Sequence, residues 1–195
     1  MEFAEVVKRR RIVRNYTDEP VDPAALERIL NAARRAPSAG FSQGQAFVVV
    51  TDPQRRHRIA ELADEPAYVA NGFDPWISRA PVHVVVCVSE QVYRDRYAEA
   101  DKVAEGRAQD WPVPYWWVDG GAAMMLLLLA AVDEGLAAGF LGSHAMPQLK
   151  QELGIPDEVA PIGIVTIGHA APDRRSGSLA RGRKDTAEVV HRETW

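Results

Sequence analysis

The run AAMMLLLLAAV, Ala122 to Val132, constrains the fold of this chain more than any other stretch. It lies inside a helix expected from Trp116 to Leu136 and is apolar around its circumference. Such a helix must be covered on every side, either in a large core or between subunits. Its 11 apolar residues fall well short of the ~20 that cross a bilayer, and Asp119, Asp133 and Glu134 flank them, so no membrane span is expected. Composition agrees with a filled core: 195 residues, 47 % of them hydrophobic, suffice for one domain over residues 1–195. A formal net charge of −4 and a pI near 5.8 argue against a general nucleic-acid binder, which needs a broad basic face. The lone Cys87 excludes an internal disulfide framework and fits a reducing compartment. Charge at Lys8 to Arg11 arrives before any apolar signal region has formed, so a cytoplasmic protein is expected.

Patterning along the chain places the other elements. A first helix is expected over Glu2 to Arg10. Asp22 followed by Pro23 caps a second, with Leu26, Ile29, Leu30 and Ala33 on one face and a stop at Pro37. Asp52-Pro53 opens a third, through about Ala63. AFVVVT (46–51), PVHVVVCV (81–88) and PIGIVTIG (161–168) read as buried strands, the second too continuously apolar to be half solvated. The polar segment 90–115 begins as a helix that WPVP breaks. The ending AEVVHRETW is strand-like and stands behind a basic, Gly-rich loop. Helices outnumber strands and the strands are spread along the chain, which predicts an α+β sandwich.

Against this acidic background, KRRRIVRNY (8–16) gathers Lys8, Arg9, Arg10, Arg11 and Arg14. Cations at a helix end are favourable in themselves, and a solvated cluster is one reading. Ile12, Val13 and Tyr16 give another, because they tie this backbone to an apolar wall. Arginine forks held beside such a wall suit a phosphate monoester, which accepts bidentate hydrogen bonds. A second basic cluster, ARGRK (180–184), could grip the same phosphate. No GxGxxG or GxxxxGK[ST] supplies another phosphate grip.

In order along the chain, RRIVRNY (10–16) with EPV (19–21), APSAGFSQ (36–43), DEGLAAGFLG (133–142), ELGIPDEVAPIGIVTIGHAAP (152–172) and RKDTAEVVHRETW (183–195) resemble the FMN-dependent nitroreductase-like flavoproteins. The resemblance implies a nitroreductase-like sandwich: a central, mostly antiparallel sheet with helices on both faces. It also implies a homodimer in which a C-terminal arm, from about residue 181, is exchanged as a strand. Arg10, Arg11, Ile12 and Arg14 would then line the FMN phosphate and ribityl site, with Arg183 or Lys184 approaching from the tail. Pro37, Ser38, Ala39, Gly40 and Gln43 match the loop that borders the flavin, commonly from the partner subunit. Phe140, Leu141 and Gly142 match the segment beside the isoalloxazine. Fixed donors there raise the flavin's potential, which is the protein's usual contribution to such chemistry.

The implied activity is ping-pong. NADH or NADPH delivers hydride to flavin N5 and leaves, then an electron-poor small molecule such as a nitroaromatic or quinone is reduced in the same space. That step needs no side-chain acid or base, so no catalytic residue is assigned. Two departures bear on the acceptor. Phe41 stands where many members have Asn and would offer an aromatic wall to the substrate site, and Gly44-Gln45 replaces Pro-Trp and leaves the loop less rigid. A flavin-fragmenting branch would need an acid where Ile12 stands and a serine near Gly142. Rival readings are an FMN store or regulator without NAD(P)H turnover, and a site for a non-flavin phosphate.

His83 reads as a core or edge histidine and His144 as a surface one. His57, His169 and His191 stand apart, with no metal-ligand spacing, so no metal is expected. Cys87 reads as inert core. Trp117 is assigned to packing under the long helix, while Trp111 and Tyr115 are equally suited to packing or to a lid over the flavin.

Overall fold

Seven consecutive buried side chains, Val82 to Val88, require a strand with neighbours on both edges and cover on both faces. The computed structural model, which describes residues 1–103, 111–174 and 176–195, supplies both. In chain order the elements are α1 (Phe3–Arg9), α2 (Pro23–Ala33), β1 (Gln45–Val50), α3 (Pro53–Leu62), α4 (Glu65–Ala70), α5 (Trp76–Arg79), β2 (Val82–Val88), α6 (Glu90–Tyr97), α7 (Tyr115–Asp133), β3 (Ala137–Gly142), α8 (Leu149–Leu153), β4 (Ala160–Gly168) and α9 (Thr186–Val189). The strands form one sheet in the order β1-β2-β4-β3, with every pair antiparallel. Residues 104–110 of the expected polar segment lie outside the described residues.

Alternation along β2 divides the core between the two faces. Val82, Val84 and Val86 meet Ile29 and Ala33 of α2 and Leu127, Leu128 and Ala131 of α7. Val85 and Cys87 face the other way, toward Ile59 of α3, Trp76 and Ile77 of α5, and Leu149 of α8. The expected Asp-Pro helix starts are both present: Asp22 accepts from Ala24 N at 3.1 Å and Asp52 from Arg55 N at 2.8 Å. Each satisfies a donor that the first turn leaves free.

Five expectations need correction. A strand the patterning missed, β3, is built from AAGFLG, whose small residues carry no β-propensity signal. AFVVV is not fully buried, because β1 is a sheet edge paired on one side only. The chain ending turns one helical stretch at α9, where Asp185 and Glu188 form a capping box, instead of running as a strand. The long helix is not covered all round. By length and composition α7 could cross a membrane, yet it packs on the sheet and on α2, while Val118 and Met125 remain 53 % and 41 % exposed. Trp117 shares that bare surface, and its neighbour Trp116 does the packing.

Candidate functional site

The arginine segment is not a frayed helix end. After α1 it runs alongside β3, with Ile12 bridging Ala138 in parallel and Val13 N donating to Ala138 O at 3.0 Å. This approach depends on Gly139, since a Cβ there would collide with the carbonyl oxygen of Val13. The segment after β4 closes over it. Arg14 N donates to Asp173 at 2.9 Å, Asn15 Nδ2 to Pro172 O at 2.8 Å, and Ala171 N to Asn15 O at 3.2 Å. Tyr16 anchors the far end, wholly buried, with its hydroxyl 2.7 Å from Thr166 Oγ1. Burial raises its pKa far above the ordinary phenol value, so it stays a neutral anchor.

That lacing gathers Arg10, Arg11, Ile12, Arg14 and Arg183 around one cleft of about 480 Å³. Arg174 and Ser176 join them, and neither was singled out from sequence because each stands apart from the two basic clusters. Lys184 does not line the cleft. Arg14 and Arg174 have their guanidinium carbons 5.9 Å and 5.3 Å from the rings of Trp76 and Phe73. Among the described residues, none of the five arginines forms an ion pair. Five uncommitted guanidiniums with a serine hydroxyl and one carboxylate, Asp173, make a donor set suited to a phosphate dianion.

The second group of expected residues lies elsewhere. Pro37, Ser38, Ala39, Gly40 and Gln43 lead directly into β1, whereas the arginine segment lies along β3 at the opposite sheet edge. Three strand spacings of ~4.8 Å put about 14 Å between those edges. The turn is held in detail. The buried Asp119 of α7 accepts from Ala39 N and from the Tyr93 hydroxyl, both at 2.8 Å. Arg96 Nε donates to Gly40 O at 2.9 Å, and Ser38 Oγ accepts from Gln43 N at 2.9 Å. Gly40, Phe41 and Gln43 all have positive φ, at 61°, 56° and 54°. For the two that are not glycine this costs on the order of 1–3 kcal/mol each. Gly44 does not loosen the loop: a Cβ there would strike the ring of Tyr93.

Phe140, Leu141 and Gly142 stand on β3, at the edge that the arginine segment occupies further back. Because Ala138 O points outward to Val13, alternation turns the backbone groups of Phe140 and Gly142 to the same open side. The exposed His144 ring sits over Gly142. His83 is a core histidine: Nε2 lies 2.7 Å from Ile77 O, and Nδ1 has no partner among the described residues. Burial lowers its pKa to about 4, which leaves it neutral. Burial pushes the Cys87 thiol up to about 11, so it is no nucleophile. Trp111 packs in a cluster with Tyr93, Tyr97, Tyr115 and Trp116 beside the turn.

The chain is thus an antiparallel α+β sandwich with an arginine-lined cleft along one sheet edge and a tightly held turn leading into the other. The chain belongs to the Nitroreductase family, whose model matches residues 7–169. It is 32 % identical over 200 residues to an FMN reductase [NAD(P)H] of Bacillus subtilis, covering 98 % of this chain and 74 % of that protein. It is 27 % identical over 198 residues to a putative NADH dehydrogenase/NAD(P)H nitroreductase of Archaeoglobus fulgidus, covering 100 % and 99 % of the two chains. In fold it is similar to NfrA2 of B. megaterium, with a TM-score of 0.78 at 23 % identity over 100 % of this chain and 75 % of that one.

Proposed function

We propose that this chain is an NAD(P)H-dependent flavin oxidoreductase that holds FMN between two copies of itself and reduces an electron-poor small molecule such as a nitroaromatic or quinone. The observation that carries this reading is the convergence of Arg10, Arg11, Arg14, Arg174 and Arg183, all free of ion pairs among the described residues, on one cleft. Their unspent charge fits the FMN phosphate, and family membership supports the flavin. When bound, FMN supplies the two-electron relay between nicotinamide and acceptor, which predicts ping-pong kinetics. The arginines would hold and orient its phosphate end. Outward backbone groups of Phe140 and Gly142 would meet the polar edge of the ring system.

A second copy of the chain completes this arrangement. One chain keeps its turn at Pro37 to Gln43 on the edge opposite its own arginines, which supports a reading in which a flavin held by those arginines would be bordered by the turn of a partner. The bare stripe of α7 is the surface for that partner to cover. Residues 1–195 thus act as one FMN-binding domain with an arm from about residue 181. Val189, Val190 and Trp195 of the arm contribute nothing to their own core. Docked on the partner as an added strand, the arm would have to unwind the single turn of α9.

The test begins with the protein as purified, which should carry stoichiometric FMN released by heat. Anaerobic addition of NADH or NADPH should then bleach the flavin band, and a quinone should restore it. Flavin that neither nucleotide reduces would point to storage or regulation. Protein that binds no FMN would point to another phosphate ligand.

A further inference from the structure

The turn from Ser38 to Gln43 is tied down from several sides, yet a bare phenyl ring stands at its tip. Phe41 is 74 % exposed and left-handed, with φ 56°. Glycine or asparagine would occupy such a position at less cost, and an exposed ring adds apolar surface to water. Neither expense helps this chain fold. The anchors make the geometry deliberate. Asp119, 7 % exposed, takes hydrogen bonds from Ala39 N and from Tyr93, Arg96 holds Gly40 O, and Tyr97 closes over Gly40. Asp119 forms no ion pair among the described residues, so a buried carboxylate is committed to fixing one backbone N–H and the tyrosine that supports it.

We propose that Phe41 is the specificity-determining residue for the electron acceptor, stacking on planar, electron-poor rings, and that Asp119 is the positioning residue that aims it. The inference rests on the two-copy flavin site described above, in which this turn borders the partner's flavin. The negative face of a phenyl ring attracts an electron-poor ring in offset stacking, whereas a compact inorganic oxidant gains nothing from it. Phe41 would therefore sort acceptors by shape and ring electronics, with no part in the delivery of electrons from the nicotinamide.

The readout is the ratio of kcat/KM for a naphthoquinone to that for ferricyanide, measured on FMN-loaded protein. Phe41→Ala should lower that ratio about fivefold to tenfold, mainly through the quinone KM, and Phe41→Trp should keep it. Asp119→Ala should lower it by a similar factor, and Asp119→Asn, which retains an acceptor for Ala39 N, should recover most of the loss. The double variant Phe41→Ala/Asp119→Ala should be no worse than either single one, because both remove the same contact. If Asp119→Ala does not fold, Arg96→Ala, which frees Gly40 O, takes its place. An unchanged ratio in Phe41→Ala, or multiplied losses in the double variant, would overturn the proposal. Wild-type protein without bound FMN would sink the flavin reading itself, before any ratio is measured.

Discussion

In Arg14 the backbone and the side chain face different tasks. Its backbone N–H is bonded to Asp173, while its guanidinium lies over Trp76 and lines the cleft. The two functions are therefore separable by mutation. Arg14→Ala should leave the fold intact and lose a charge-assisted bond of about 1.5–3 kcal/mol to a phosphate. FMN affinity should fall about tenfold to a hundredfold, with activity partly regained at high FMN. Equilibrium dialysis with flavin fluorescence measures this, and an unchanged FMN content would reduce Arg14 to a surface cation. Phe41 and Asp119 belong to the same scale, since strain at one and burial at the other have meaning only together.

Among the elements, α7 joins the core to the turn and also keeps a bare face. Its inner face fills the core through Leu127, Leu128 and Ala131, and its N-terminal part holds the turn through Asp119. Val118 and Met125, seven residues apart and so on one face, stay bare beside the half-buried Gly121 and Ala122. A charge placed there costs the isolated chain little, because the site is already wet. In a dimer interface it would be buried without a partner. Met125→Glu should therefore produce a folded monomer that releases FMN, visible by sedimentation with detection at the flavin band. A variant that remains dimeric and yellow would move the interface off this helix.

At the scale of the whole molecule, assembly and cofactor are linked if the flavin contacts both copies. A ligand bound only by the folded dimer stabilises it by mass action, by about 2.7 kcal/mol at a hundred times its Kd. For a chain of this size that corresponds to a rise of about 5–10 °C in Tm. FMN should give such a shift and riboflavin, lacking the phosphate, much less. Equal shifts would withdraw the role given to the arginines. Differential scanning fluorimetry at fixed protein concentration decides between these results.

What the sequence determined by itself was local. The nearly unbroken apolar run VHVVVCV admits only a central strand, Asp-Pro pairs open helices, and the crowded arginines stand beside the apolar Ile12, Val13 and Tyr16. Each of these is written in neighbours along the chain. Tertiary structure decided the rest. Ala137 to Gly142 is a strand because β4 and the arginine segment flank it, though its small residues show no preference for one. Arg174 joined the cleft only because the chain after β4 folds back over Asn15. Asp119 became an anchor because α7 crosses above the turn, some eighty residues from its partner Ala39. The sequence of the apolar helix called for cover, and only the packing showed which face its own sheet takes and which stays bare. Local sequence sets what each segment prefers, whereas contacts between distant segments set what it meets, and the candidate site is made almost entirely of such meetings.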